Sequence, residues 1–145
     1  METLEMEFFM SLDHVPTCTA QQARVISSQG LYRKYDHPAL ATAKRILIGA
    51  LIQHRPDIPI TGPVEFAAEW RFDYKAGHKD GEFKVTKPDT DNLNKLLKDL
   101  MTRTGYWEDD KQVVIEHIKK VWDKKDSGIF IKIRRLGKFE EYKFG

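Results

Sequence analysis

Lys87 to Val113 read KPDTDNLNKLLKDLMTRTGYWEDDKQV. Within this stretch Leu93, Leu96, Leu97, Leu100 and Met101 recur at i, i+3, i+4, i+7 and i+8. That spacing predicts a helix from about Thr90 to Thr102 with one buried stripe. At about 100° per residue, Asp91, Lys95 and Lys98 fall on the opposite side, with Asp91 and Lys95 one turn apart on an outward face. Asp89 stands at the helix entrance, behind Pro88, where an acid can cap free N–H groups. Behind the helix, Gly105-Tyr106-Trp107 leads to a second acid cluster, Glu108-Asp109-Asp110, and then to an extended segment from about Gln112 to Trp122. The connection is short, so it returns the second cluster to the sheet. The expectation is that acids from the two ends of the helix converge.

On either side the pattern alternates between strand and helix. Leu4, Met6, Phe8 and Met10 alternate with Glu5 and Glu7, a half-buried strand. Thr17 to Tyr35 is polar, with the turn signal Ser27-Ser28-Gln29-Gly30 between two extended pieces, and reads as a loop or small hairpin. Asp36-His37-Pro38 opens a helix to about Arg55, with Leu40, Ala43, Leu47, Ala50, Leu51 and His54 on one stripe. After Gly62-Pro63, Val64, Phe66, Ala68, Trp70, Phe72 and Tyr74 point one way; Glu65, Glu69, Arg71 and Asp73 point the other. Ala76 to Thr86 reads as a flexible charged loop. Lys125 to Gly128 forms a turn, and Ile129, Ile131 and Ile133 mark a last strand, expected to pair with the preceding one as a hairpin. The reading is an α/β (α+β) chain: one domain over residues 1–145, with a mixed sheet of about four strands and two main helices packed against it.

Composition narrows the class. A chain of 145 residues, 41% hydrophobic and 32% charged, suits one ordered domain with a real core. No apolar run approaches the roughly 20 residues that span a bilayer, so no membrane partner is expected. The opening METLEMEFFM carries acids where a secretion signal has basic residues, so a cytoplasmic location is expected. Cys18, the lone cysteine, excludes an internal disulfide and any multi-cysteine metal site. The net charge of +2 proves no polyanion partner, but its distribution is uneven. Eight basic residues lie between Lys119 and Lys138, against Asp123 and Asp126; Lys75, Lys79, Lys84 and Lys87 lie close together in the charged loop.

Each feature has an ordinary explanation. Asp89 can be a helix cap, Asp91 and Lys95 a surface ion pair, and the lysine runs a solvated face. A calcium loop of the EF-hand kind is excluded. Counted from Asp89, its sixth position is Asn94 where glycine is required and its twelfth is Leu100 where glutamate is required. Crowded carboxylates are costly to keep ionised together without a cation, and oxygen-only ligands suit Mg²⁺ or Mn²⁺. In a lysine-rich chain, such an ion points to phosphodiester chemistry.

The pattern K-P-D-x-D-N-x-x-K-x-x-x-D followed by G-x-W-x-D-D-x-Q-V resembles the RusA family of Holliday junction resolvases. It is carried by Lys87, Pro88, Asp89, Asp91, Asn92, Lys95, Asp99, Gly105, Trp107, Asp109, Asp110, Gln112 and Val113. The resemblance implies a dimeric α/β fold and Mg²⁺-dependent cleavage of four-way DNA junctions, with Mn²⁺ as a substitute ion and no organic cofactor. It matches Asp89, Asp91 and Asp110 to the catalytic acids and Lys95 to an essential lysine, with Asp109 beside Asp110 as a further metal ligand. Two rivals stand: a metal-dependent nuclease for other branched or single-stranded DNA, and a DNA-binding protein without catalysis. Tyr32, Arg33, Lys34 and Tyr35 form a basic-aromatic patch able to stack on unpaired bases.

Overall fold

The structure, a computed structural model, describes residues 4–19, 24–28, 31–35 and 38–139, with backbone alone for 24–28 and 31–35. Its elements are β1 (Glu5–Ser11), β2 (Arg24–Ser28), β3 (Leu31–Tyr35), α1 (Pro38–Ile52), β4 (Val64–Asp73), α2 (Thr90–Arg103), a single 3-10 turn (Asp110–Gln112), β5 (Val113–Asp123) and β6 (Gly128–Arg135). β2 and β3 pair antiparallel as the small hairpin expected. The side chains of the Tyr32 to Tyr35 patch lie outside the described residues. Among the described residues, no helix is long and apolar enough to cross a membrane.

The main sheet is mixed, in the order β1-β6-β4-β5. β4 and β5 are parallel, with Ala68 opposite Ile118, while β6 lies antiparallel to both β1 and β4. The expected β5–β6 hairpin is therefore wrong, because β4 separates the two strands. β4 reaches β5 through α2, and such a crossover lays its two strands parallel and side by side. β6 then takes the slot between β4 and β1, where Ile129, Ile131 and Ile133 are all fully buried. Gly128 opens β6 at φ +152°, and a Cβ there would lie 2.1 Å from the Met10 carbonyl oxygen. Only glycine permits β1 to approach so closely.

Both main helices cover one face of this sheet. Leu40, Leu47 and Leu51 of α1 and Leu93, Leu97 and Leu100 of α2 are fully buried against Val64, Phe66 and Trp70 of β4. β4 alternates buried and half-buried residues along its whole length, as its sequence required. Its other face carries compensated charge: Glu65 with His117 and Arg134, Glu69 with Arg71 and Lys119, Lys132 with Glu5.

The segment before α2 is not the free loop expected. Gly81 N–H donates to Trp122 O, Trp122 N–H to Glu82 O, and Lys84 N–H to Lys120 O, so the segment is laced along the outer edge of β5. The Lys84 stem lies in an apolar seat that the sequence pattern does not announce. Its ammonium sits 4.5 Å from the Trp122 ring centre and 5.1 Å from that of Phe72.

Candidate active site

Lys87-Pro88, a cis peptide, precedes Asp89, which holds the N-cap position of α2. Its side chain makes no capping bond; it accepts instead from Asn92 Nδ2, one turn on. Asn92 thus orients a carboxylate that the helix does not use. Asp91 lies in the first turn, exposed, and Lys95 is exposed one turn later. Among the described residues neither forms an ion pair, with the other or with anything else. The ordinary roles open to these acids, cap and surface pair, are both unfilled.

Behind them the helix is held firmly. Asn94 is buried and donates to Glu116 of β5, and Lys98 Nζ meets the other oxygen of that carboxylate at 2.5 Å. Lys120, four residues along β5 and on the same side, donates to Thr86 O at 2.9 Å and Pro88 O at 2.7 Å. Its ammonium grips the carbonyls on both sides of Lys87 and so fixes the approach to Asp89. Neither Glu116 nor Lys120 stands out in the sequence. The available signal was their period-two alternation with Trp122, which puts all three on the helix-facing side of β5.

At the far end α2 stops at Gly105, φ +91°. Gly105 N–H donates to Thr102 O and Tyr106 N–H to Met101 O, a Schellman-type ending that needs a left-handed residue. Tyr106 and Trp107 then turn inward. Tyr106 Oη donates to Leu51 O at 2.7 Å and Trp107 Nε1 to Thr102 Oγ1 at 2.7 Å. Burial pushes the Tyr106 hydroxyl far above its ordinary pKa, so it stays a neutral donor. Trp107 is a core residue, edge-on to Phe66.

The second cluster divides into two roles. Asp109 caps the 3-10 turn: its Oδ1 accepts from Lys111 N–H at 2.9 Å, and Gln112 Oε1 accepts from the N–H groups of Glu108 and Asp109. The Lys111 backbone hydrogen bond holds the Asp109 carboxyl below its ordinary pKa. Gln112 Nε2 in turn donates to Ile60 O and Gly62 O, which pins the turn to the start of β4. Asp110, exposed beside it, carries no capping duty.

The two clusters do not meet within the chain. α2 runs antiparallel to β5, so Asp89 borders the same cleft as Lys120 while Asp109 and Asp110 precede Val113. The 14 residues of α2 put about 21 Å between them at 1.5 Å per residue. Among the described residues, no three His, Cys, Asp or Glu side chains gather as a metal site. The convergence expected from the short Gly105–Trp107 connection fails inside one chain because that connection leads back to the sheet at the wrong end of the helix.

Among known proteins, the family described as Endodeoxyribonuclease RusA matches residues 14–134 of this chain. A protein described as crossover junction endodeoxyribonuclease rusA, from Lactococcus phage r1t, is 31% identical over 125 residues, which cover 85% of this chain and 93% of that protein.

Proposed function

The chain belongs to the RusA family of crossover junction endodeoxyribonucleases, and on that premise we propose that it resolves four-way DNA junctions as a homodimer by Mg²⁺-dependent hydrolysis. Asp89, Asp91 and Asp110 are the catalytic acids, Lys95 is the cation at the phosphate, and Asp109 sets the position of Asp110. The observation that carries this reading is the juxtaposition of Asp91 and Lys95: exposed, one turn apart, and without ion-pair partners among the described residues, next to an Asp89 held by Asn92.

The donor set is carboxylate oxygen only, which fits Mg²⁺ with Mn²⁺ as substitute. When bound, such an ion polarises the phosphate and makes a bound water more acidic. Lys95 adds a point charge where negative charge develops on the phosphate oxygens. No Ser, Cys or Tyr stands beside a base along this motif, so water attacks directly and no covalent protein–DNA adduct forms.

The separation of the two acid clusters argues for the dimer. Ligand oxygens lie about 2.0–2.1 Å from Mg²⁺, far short of the span of α2. A second copy supplies the missing end. β5 is the edge strand of the sheet, and its outer edge is occupied by residues 81–84 only at Lys120 to Trp122. Antiparallel pairing of the remaining edge with its copy runs the Asp110 end of one chain toward the Asp89 end of the other. A four-way junction is itself close to two-fold symmetric, and a C2 enzyme offers one composite site to each of two strands.

The test is cleavage of a labelled mobile four-way junction, with and without Mg²⁺, beside linear duplex and flap controls. Paired nicks on the junction alone are expected. Asp91→Asn should abolish cleavage while binding persists or tightens, since a negative charge facing phosphate has gone. Normal cleavage by Asp91→Asn would overturn the assignment.

A further inference from the structure

Lys84 is a cation that the fold does not need. Its residue is 6% exposed, and among the described residues no carboxylate pairs with it. Its ammonium lies over Trp122 and Phe72 and donates to Thr86 Oγ1 at 2.5 Å. The cation–π contacts offset part of the cost of burial. Burial still holds its pKa below the ordinary value, and the charges of Lys120 and Lys75 press it further the same way. A methionine would fill the same space without this penalty. The Lys84 and Lys120 ammonium groups both donate to Thr86, one to its hydroxyl and the other to its carbonyl, and two positive charges brought to one exposed residue favour an anion beside it.

Thr86 connects this cation to a cleft. The cleft measures ≈ 450 Å³ and is bordered by Thr17, Thr86, Lys87, Asp89, Asn92 and Lys120 among others. One end of it is therefore the Asp89 carboxylate. Lys120 spends two of its three donors on Thr86 O and Pro88 O, which leaves one N–H for a ligand. The Thr86 hydroxyl accepts from Lys84, so its own proton is free to point into the cleft. Lys87 stands exposed at the rim.

We propose that this cleft seats a backbone phosphate of the DNA strand next to the one that is cut. The Thr86 hydroxyl and the Lys120 ammonium contact it, Lys87 lies at its rim, and Lys84 acts from behind as a positioning residue through Thr86. Because Lys120 also grips the carbonyls ahead of Asp89, seating the neighbouring phosphate and presenting the acid are one event. The inference rests on the nuclease reading above and extends it to a strand-tracking subsite.

The experiment is equilibrium binding of a labelled four-way junction in EDTA over a range of salt, with Lys84→Met, Thr86→Val and Lys87→Gln, and thermal midpoints for each. Lys84→Met is expected to bind roughly three- to ten-fold more weakly near 0.1 M salt, with the slope of log K against log salt reduced by about 0.9. Its thermal midpoint should be unchanged or higher, because a buried uncompensated charge has gone. Thr86→Val and Lys87→Gln, both at exposed positions, should weaken binding in the same direction without loss of folding. If Lys84→Met and Thr86→Val bind with wild-type affinity and slope, the cleft holds no phosphate. A lowered midpoint with unchanged binding would make Lys84 a packing residue only, and would overturn the proposal as well. These outcomes leave wild-type cleavage intact, whereas a wild-type protein that neither binds nor cuts junctions would sink the nuclease reading itself.

Discussion

Asp109 and Asp110 are adjacent acids of the same type, and their surroundings separate them. Asp109 is committed to the Lys111 N–H and to the turn that Gln112 closes; Asp110 is not. Asp110→Asn should therefore abolish cleavage with an unchanged thermal midpoint. Asp109→Asn keeps a capping oxygen and should retain most of the rate. Single-turnover cleavage of both variants checks this, and equal loss in the two would refute the division. Lys95→Ala should lose rate with little change in stability, since the side chain touches nothing structural. The open face of the sheet behaves differently. Burial alone would raise the Glu65 carboxyl, but hydrogen bonds from His117 and Arg134 outweigh it and hold the pKa below the ordinary 4.5. Glu69 is held down likewise, against burial, by Lys119 and Arg71. A folded-state pKa below the unfolded one stabilises the fold above about pH 4.5, and that contribution is lost as pH falls through the folded value. Thermal midpoints should drop below that pH, and Glu65→Gln should drop less steeply. The acids and the lysine of the proposed site stand out in the sequence because their chemistry is local. The division of labour within the second cluster does not, because it depends on which carboxylate the turn consumes.

The amphipathic stripe of α2 and the alternation of β4 were readable, since each follows from a local period that burial enforces; the turn signal between β2 and β3 left a loop or a hairpin open. The neighbour of β5 was not readable. Strand adjacency is decided by contacts between distant segments, and a turn such as Lys125 to Gly128 suits a hairpin and a wider connection equally well. The lacing of residues 81–84 along β5 was hidden for the same reason: its seat is built from Phe72 and Trp122, far apart in the chain. Tyr106 is the joint between the elements. It lies just past the left-handed stop at Gly105, and its hydroxyl reaches the C-terminal end of α1 at Leu51 O. Tyr106→Phe removes one buried hydrogen bond and leaves a carbonyl unpaired, a cost of about 1 kcal/mol or somewhat more. For a domain of this size that lowers the thermal midpoint by about 2–5 °C. Cleavage at a temperature well below the midpoint should be unaffected, since the acids of both clusters stay where they are. A loss of rate without a loss of stability would mean that this joint also tunes the site.

At the scale of the whole molecule, the distance along α2 decides what an active unit is. If one ion is held by Asp89 and Asp91 of one chain and Asp110 of another, two dead proteins can make one live site. Asp91→Asn and Asp110→Asn homodimers are each expected to be inactive. In a mixed dimer one composite site carries both substitutions and the other carries neither. A mixture exchanged under mild denaturation should therefore nick junctions on one strand, through the roughly half of all dimers that random assortment makes mixed. It should not resolve them, because resolution needs the second, doubly damaged site. Were each site instead built within a single chain, every site in the mixture would carry one substitution and no nicking would appear. The same logic extends to the edge of β5. A lysine at Ile115 on that edge should leave a folded monomer that binds DNA weakly and cuts nothing, since an added charge opposes strand pairing between copies. Sedimentation together with the nicking assay separates this outcome from a simple loss of folding. A variant that stays dimeric and active would move the interface away from β5, and would require another surface to bring Asp110 within reach of Asp89.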